Sequence, residues 1–510
     1  MRRSGHRLEW EIKPLPFKIY AGIEPIRLPT ELPAPAADTF AALAPGEAPA
    51  PGAPLDLARL AALLYFSAGV TRVKTYPGGA RVHLRAAPST GALYQTEVYV
   101  VAGAVEGLGP GVYHFGPGDW SLRRLRAGDF RGAVAGAAAD DAVAARPASL
   151  ILSGLYWRNA WKYQARAYRH LFWDSGTLLA QLLAAARALD LPARLVSGFV
   201  DAQLNGLLGL DPQKEGALVV VTLGAPGAVA AAPPVVTPLA LEVVPPSARE
   251  VDYPLLRDAY AASSLDSEAE VLAWREAQGE GMTPSVALPA TPLPAPEVAA
   301  GRSLAETIAA RGSAREFSGE AIGAGALSSA LHHATQGFAA DVPAGLVDLY
   351  VNVHAVTDLA PGAYAYDPAA HALVLLRAGD VREASAFLCL EQALGGAASA
   401  TVFFLGDLAR LLERWGNRGY RLANLEAGLI GGRLYLGAYG QRLGATGLTF
   451  YDRAVADFFS PHAAGKDALF VTALGRARRA LTPPLLTPRP LTLPSRRRGE
   501  GNEEEERSQR

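Results

Sequence analysis

Five short segments of this chain carry side chains that could do chemistry. In Arg311-Gly-Ser-Ala-Arg315 the polar residues Arg311, Ser313 and Arg315 alternate, so an extended backbone turns all three to one face. Two guanidinium groups and a hydroxyl on one face suit a phosphate or another electron-rich group, although composition alone favours a solvated basic stretch. Pro88-Ser89-Thr90-Gly91 is turn chemistry. Gly91 would let a ligand or a second backbone approach, but alone the segment reads as a loop entering a strand. Residues 157–170 interleave aromatic and basic side chains, with Lys162 beside Tyr163. An ammonium near a phenol lowers its pKa, which would suit an acid–base pair; the plainer account is a helix entry with aromatics in the core. Gly444-Ala445-Thr446-Gly447 could offer backbone N–H groups to a ligand edge. Arg476 and Arg478 stand just past an expected final strand, placed to clamp a phosphate.

These segments fall on an internal repeat. Pro110-Gly-Val-Tyr-His-Phe-Gly-Pro followed by Leu125-Arg-Ala-Gly-Asp129 matches Pro361-Gly-Ala-Tyr-Ala-Tyr-Asp-Pro followed by Leu376-Arg-Ala-Gly-Asp380, and both blocks recur at an offset of 251 positions. Two copies of one fold are therefore joined in the chain. Periodicity predicts helices at 56–68, 174–189, 266–278, 303–310, 324–336 and 423–443. It predicts strands at 97–102, 149–155, 217–223, 346–353, 400–405 and 468–474. The boundaries are an extended N-terminal arm at 1–55, a first domain at 56–224, a Pro/Ala-rich linker at 225–300, a second domain at 301–480 and a disordered tail at 481–510.

With 510 residues, half of them apolar, the chain can bury two large cores. A net charge of -1 gives no field to recruit nucleic acid or an anionic membrane. The single cysteine excludes an internal disulfide and a cysteine-rich metal site. No apolar run approaches the roughly 20 residues that span a bilayer, and no secretory leader opens the chain, so the expectation is a cytoplasmic protein without a metal. Neither a dinucleotide fingerprint nor a Walker A sequence occurs in the required context.

Together the quoted segments resemble the nitroreductase-like flavoprotein superfamily, and within it the SagB/ThcOx-type dehydrogenases. The resemblance covers roughly residues 56–224 and 300–478. It implies an α+β fold: two nitroreductase-like α/β sandwich domains fused as an intrachain pseudo-dimer, with FMN at the interface. One copy in such a pair supplies the Arg-x-Ser-x-Arg face and late glycine and basic residues; the facing copy supplies the Pro-Ser loop. Here the second copy has Arg311, Ser313, Arg315, Ala445, Thr446, Gly447, Arg476 and Arg478. It is 24 positions from Gly337 to Pro361 against 41 from Gly69 to Pro110, so it lacks the loop. The first copy has Pro88, Ser89, Thr90 and Gly91 but no such arginines. The resemblance thus implies one composite FMN site. Arg311 and Arg476 would hold the phosphate with Ser313, and Arg315 would lie near the flavin N1/C2 edge. Lys162 and Tyr163 would be catalytic, Tyr163 as base and Lys162 tuning it. The expected activity is FMN-dependent oxidation of azolines in a modified peptide, with a RiPP-type cyclodehydratase as a partner. An NAD(P)H-dependent nitro or quinone reductase and a non-catalytic scaffold without flavin are the alternatives, and internal pairing suits a monomer.

Overall fold

The computed structural model describes residues 7–48, 52–76, 79, 81–230, 232–277, 290–478, 484–485 and 487–491. In chain order the first half forms β1 (Pro25–Arg27), β2 (Val70–Thr75), β3 (Arg81–Arg85), β4 (Thr96–Ala102), β5 (Gly111–Gly116), β6 (Ser121–Ala127), β7 (Ala148–Leu155), β8 (Ala193–Val196) and β9 (Glu215–Leu223). The second half forms β10 (Ala290–Pro292), β11 (Asp348–Val353), β12 (Gly362–Asp367), β13 (Ala372–Ala378), β14 (Ala400–Gly406), β15 (Gly444–Gly447) and β16 (Asp467–Gly475).

Two seven-stranded sheets result, ordered β1-β6-β5-β4-β7-β9-β8 and β10-β13-β12-β11-β14-β16-β15. Strand for strand they are the same sheet, as the repeat requires. The unmatched pair is the hairpin β2–β3, which stands between the Leu57–Ala68 helix and β4. The second copy runs from its Ala324–Thr335 helix to β11 without one. The residues missing from the second copy are therefore this hairpin and the loop that follows it.

Two long helices, Ala167–Ala188 and Arg418–Gly440, pack against each other between the sheets. Small residues let their backbones meet. A Cβ on Gly428 would stand 2.3 Å from the Trp173 carbonyl oxygen, and one on Gly176 2.3 Å from that of Leu425. Trp173 Nε1 donates to Asn424 Oδ1 at 2.8 Å. These residues are themselves 251 positions apart, so the pseudo-two-fold axis passes between them. The cores interlock across this seam: Leu425, Leu429 and Leu436 join the first core and Trp173 the second. Buried Asp201 of the first domain accepts from Arg418 and Arg421 of the second, each at 2.7 Å.

Several expected boundaries move. The first long helix begins at Ala167 rather than 174, and the second at Arg418 rather than 423. The arm is not merely extended. It contributes edge strand β1, and its Thr39–Ala42 helix crosses to the second domain, where Thr39 N donates to the Arg302 carbonyl at 3.1 Å. The linker carries helices Pro254–Ala262 and Glu268–Glu276 and supplies edge strand β10. Proline is tolerated in β1 and β10 because an edge strand leaves one side unpaired. Part of the expected disordered tail is also ordered against the first domain. Leu485 N donates to the Thr71 carbonyl at 2.6 Å and Leu491 N to that of Gly118 at 2.8 Å. The rest of that tail lies outside the described residues.

Candidate active site

Arg311 follows the Leu304–Ala310 helix, whose start is fixed by a Ser303–Glu306 capping box. Its side chain crosses from the second domain to the first. Nε donates to the Ala86 carbonyl at 2.5 Å and Nη2 to the Arg85 carbonyl at 3.0 Å, on the residues that lead into Pro88. Arg72 of the hairpin returns the contact by donating to the carbonyls of Arg311 and Ala309. Burial, reinforced by the Arg311 charge, lowers the Arg72 pKa to about 10; burial also pushes Arg311 down. Among the described residues no carboxylate pairs with Arg311. A buried cation without a carboxylate is suited to an anion from outside the chain.

The rest of the alternating segment lies along β15. Ala314 N donates to the Ala445 carbonyl at 2.9 Å, and the Ser313 hydroxyl is 3.2 Å from that of Tyr435. Tyr435 in turn accepts from Gly447 N at 2.5 Å. Thr446 is buried within the strand pair and Gly447 is exposed. Arg315 is exposed too, and its charge reaches across the domain seam to Tyr163.

On the facing side, Asp174 organises the Pro-Ser loop. Its carboxylate accepts from the Ser89 hydroxyl, from Thr90 N at 2.9 and 3.0 Å, and from the Thr90 hydroxyl at 2.7 Å. Thr177 holds the Pro88 carbonyl at 2.8 Å. Gly91 has φ +64, and a Cβ there would lie 2.9 Å from the Tyr163 hydroxyl, so glycine is required both for conformation and for room. Tyr163 also meets the His170 ring edge-on at 4.6 Å. His170 Nδ1 is 2.8 Å from Asn159 Oδ1, and Asn159 continues to Gln95 at 3.2 Å.

Residues 88–91, Tyr163, Arg311, Ser313 and Arg315 thus belong to one inter-domain neighbourhood. Two expectations change. Burial, seconded by the Asp174 carboxylate, raises the Tyr163 pKa, and the opposing cation is Arg315; Lys162 stands 5.7 Å from the ring centroid. The phenol is therefore held protonated rather than made more acidic. Nor do Arg476 and Arg478 form a clamp with Arg311. Arg476 points to the Ala321 carbonyl (3.4 Å) and Glu320 (3.7 Å), and Arg478 pairs with Glu316 at 2.9 Å. The alternation that aims Ala477 inward against Gly444 turns both arginines aside.

Across the pseudo-two-fold axis the counterpart location is filled. Arg433 donates to the Gln336 carbonyl and, at 3.0 Å, to that of Leu43, while Arg187 reaches the Pro45 and Glu47 carbonyls. The cavity left beside Phe338 is about 20 Å³, room for one water.

A family model described as the nitroreductase family matches residues 53–225. The chain carries a nitroreductase-family domain. A crystal structure from Anabaena variabilis, named a "putative nitroreductase", superposes with a TM-score of 0.74 at 28% identity, covering 93% of this chain and 96% of that one. Both of the present domains, not the matched one alone, therefore share that architecture, and the second is nitroreductase-like as well. A protein of Methanocaldococcus jannaschii with the same name is 28% identical over 112 residues, which are 22% of this chain and 57% of that relative. A component of the Escherichia coli microcin synthetase McbBCD complex aligns at 21% identity over 41% of this chain, with a TM-score of 0.30.

Asp174, Arg72 and Tyr435 were not singled out in the sequence. Asp174 had a signal: it is the one acidic residue between Trp157 and Leu189. Burial raises its pKa from 3.8 to about 6 against the pull of Ser89 and Thr90. Its folded pKa lies above its unfolded one, so its stabilising contribution is complete below about pH 4 and is lost as the pH climbs through about 6. The two-unit shift is worth about 3 kcal/mol. By denaturant unfolding, the native chain should lose up to about 3 kcal/mol more stability between pH 4 and pH 7 than Asp174→Asn does, the difference between the two isolating this carboxyl from the other titrating groups. Among the described residues no helix is long and apolar enough to cross a membrane.

Proposed function

We propose that this chain is an FMN-dependent oxidoreductase that holds one FMN between its two nitroreductase-like domains. The observation that carries the reading is Arg311 of the second domain seated on the backbone just before the Pro-Ser loop of the first. The residues fit the group. The buried Arg311 guanidinium and the Ser313 hydroxyl suit a phosphate, and half-exposed Ser89, Thr90 and Gly91 face them from the other copy. Exposed Arg315 would place positive charge beside the ring system. Bound FMN would supply hydride transfer. Arg476 and Arg478 would join only by leaving their present carboxylates.

The direction of proton movement separates the substrate classes. Oxidising an azoline, with a cyclodehydratase partner upstream, needs Tyr163 to take a proton. A protonated phenol instead favours proton delivery, which accompanies reduction of a nitro or quinone group with NAD(P)H as donor. We therefore favour the reductase reading, in a monomeric cytoplasmic protein.

The visible spectrum of the purified chain, with released flavin quantified, tests the site. One FMN per chain is the expected result. None, even after adding FMN, would leave the scaffold reading; two would mean that the counterpart location opens. Rapid bleaching of the flavin by NAD(P)H would support the reductase, and bleaching by an azoline peptide alone would support the oxidase.

A further inference from the structure

The turn that ends the Tyr156–Tyr163 helix is held in a conformation its residue does not favour. Gln164 has φ 53 and ψ -143, a region that essentially only glycine occupies without strain. The second copy makes the same turn after its Leu408–Trp415 helix, at Gly416, with φ 56 and ψ -158. The fold therefore demands this backbone in both copies. The copy that carries Tyr163 meets the demand with glutamine, the other with glycine.

Gln164 is anchored on both sides. Its backbone N–H donates to the Ala160 carbonyl, closing the last helical turn. Its side chain lies beside the hydroxyl of Tyr253, which comes from the crossover between the domains, and pulls that phenol's pKa down against the effect of burial. The residue before it is Tyr163, whose hydroxyl lies 2.9 Å from where a Gly91 Cβ would be. A strained turn tied to a third element fixes the exit of a helix more narrowly than glycine can.

We propose that Gln164 is a positioning residue: its strained backbone, backed by its side chain's contact with Tyr253, holds the Tyr163 hydroxyl against Gly91. The kinetic part of this rests on the oxidoreductase reading; the conformational part does not.

The test compares Gln164→Gly, Gln164→Ala and Tyr253→Phe in the full chain. At an ordinary loop position alanine is the more stabilising choice. Here Gln164→Gly should unfold about 1–3 °C above Gln164→Ala, because only alanine keeps the strain. Hydrogen exchange across 156–166 should quicken in Gln164→Gly and in Tyr253→Phe. With FMN content and KM unchanged, kcat should fall about tenfold in Gln164→Gly and in the same direction in Tyr253→Phe, the scale of a displaced proton-transfer group. Alanine above glycine in stability, or native exchange in both Gln164→Gly and Tyr253→Phe, would overturn the proposal. So would faster exchange with native kcat, which would make the turn merely structural. If the native chain binds no flavin, the oxidoreductase reading fails, and the stability and exchange measurements still decide whether the strained turn holds Tyr163.

Discussion

Replacing Arg311 with glutamine should leave a folded chain that no longer retains FMN. The side chain has two duties here. It bridges the domains through the Ala86 and Arg85 carbonyls, and it brings an uncompensated charge to the seam. Glutamine keeps an N–H donor for the Ala86 carbonyl and removes the charge. Each charge-assisted hydrogen bond to a phosphate is worth about 1.5–3 kcal/mol, so losing a forked pair predicts a weakening of FMN affinity by at least about a hundredfold. Arg311→Lys keeps the charge without the fork and should fall between the two. Fluorescence titration with FMN measures all three, and circular dichroism confirms the fold. Full flavin content in Arg311→Gln would remove Arg311 from the phosphate site and with it the strongest support for a composite site.

What the sequence made legible was set by how local each signal is. The 251-residue offset placed two copies, and the helix and strand cores followed from apolar periodicity. Edge strands β1 and β10 were not visible, because three residues containing a proline have no period of their own; they become strands by pairing with β6 and β13. The first turns of the long helices were hidden by buried polar residues. Arg418 and Arg421 look like surface groups until Asp201 is seen facing them from the other domain. The same holds within the site. The Pro-Ser loop could be read as a turn, but what holds it is a carboxylate 84 positions away. The arginines at 476 and 478 were read by type and missed by direction, since strand alternation and nearby Glu316 and Glu320 decide where they point.

Tyr163→Phe should abolish turnover while leaving FMN in place. The phenol touches the loop over the proposed ring site and can exchange a proton, and unlike the Asp174 carboxylate it is not tied up in holding Ser89 and Thr90. Phenylalanine keeps the ring and its edge-on contact with His170, so packing and flavin content should hold. A positioned acid contributes about 10²–10⁴-fold, and the loss in kcat should fall in that range. The pH profile carries the sharper information. Burial and Asp174 hold the Tyr163 pKa above that of a free phenol, so a reductase using it as acid should show a flat kcat through neutral pH with no limb from this group. An oxidase using it as base should instead gain activity as the pH rises and the phenolate forms. If the variant keeps native kcat, the proton comes from elsewhere. If kcat falls and the native profile rises steadily with pH, Tyr163 stays in the mechanism and the direction of the reaction is the reverse of the one its protonation favours.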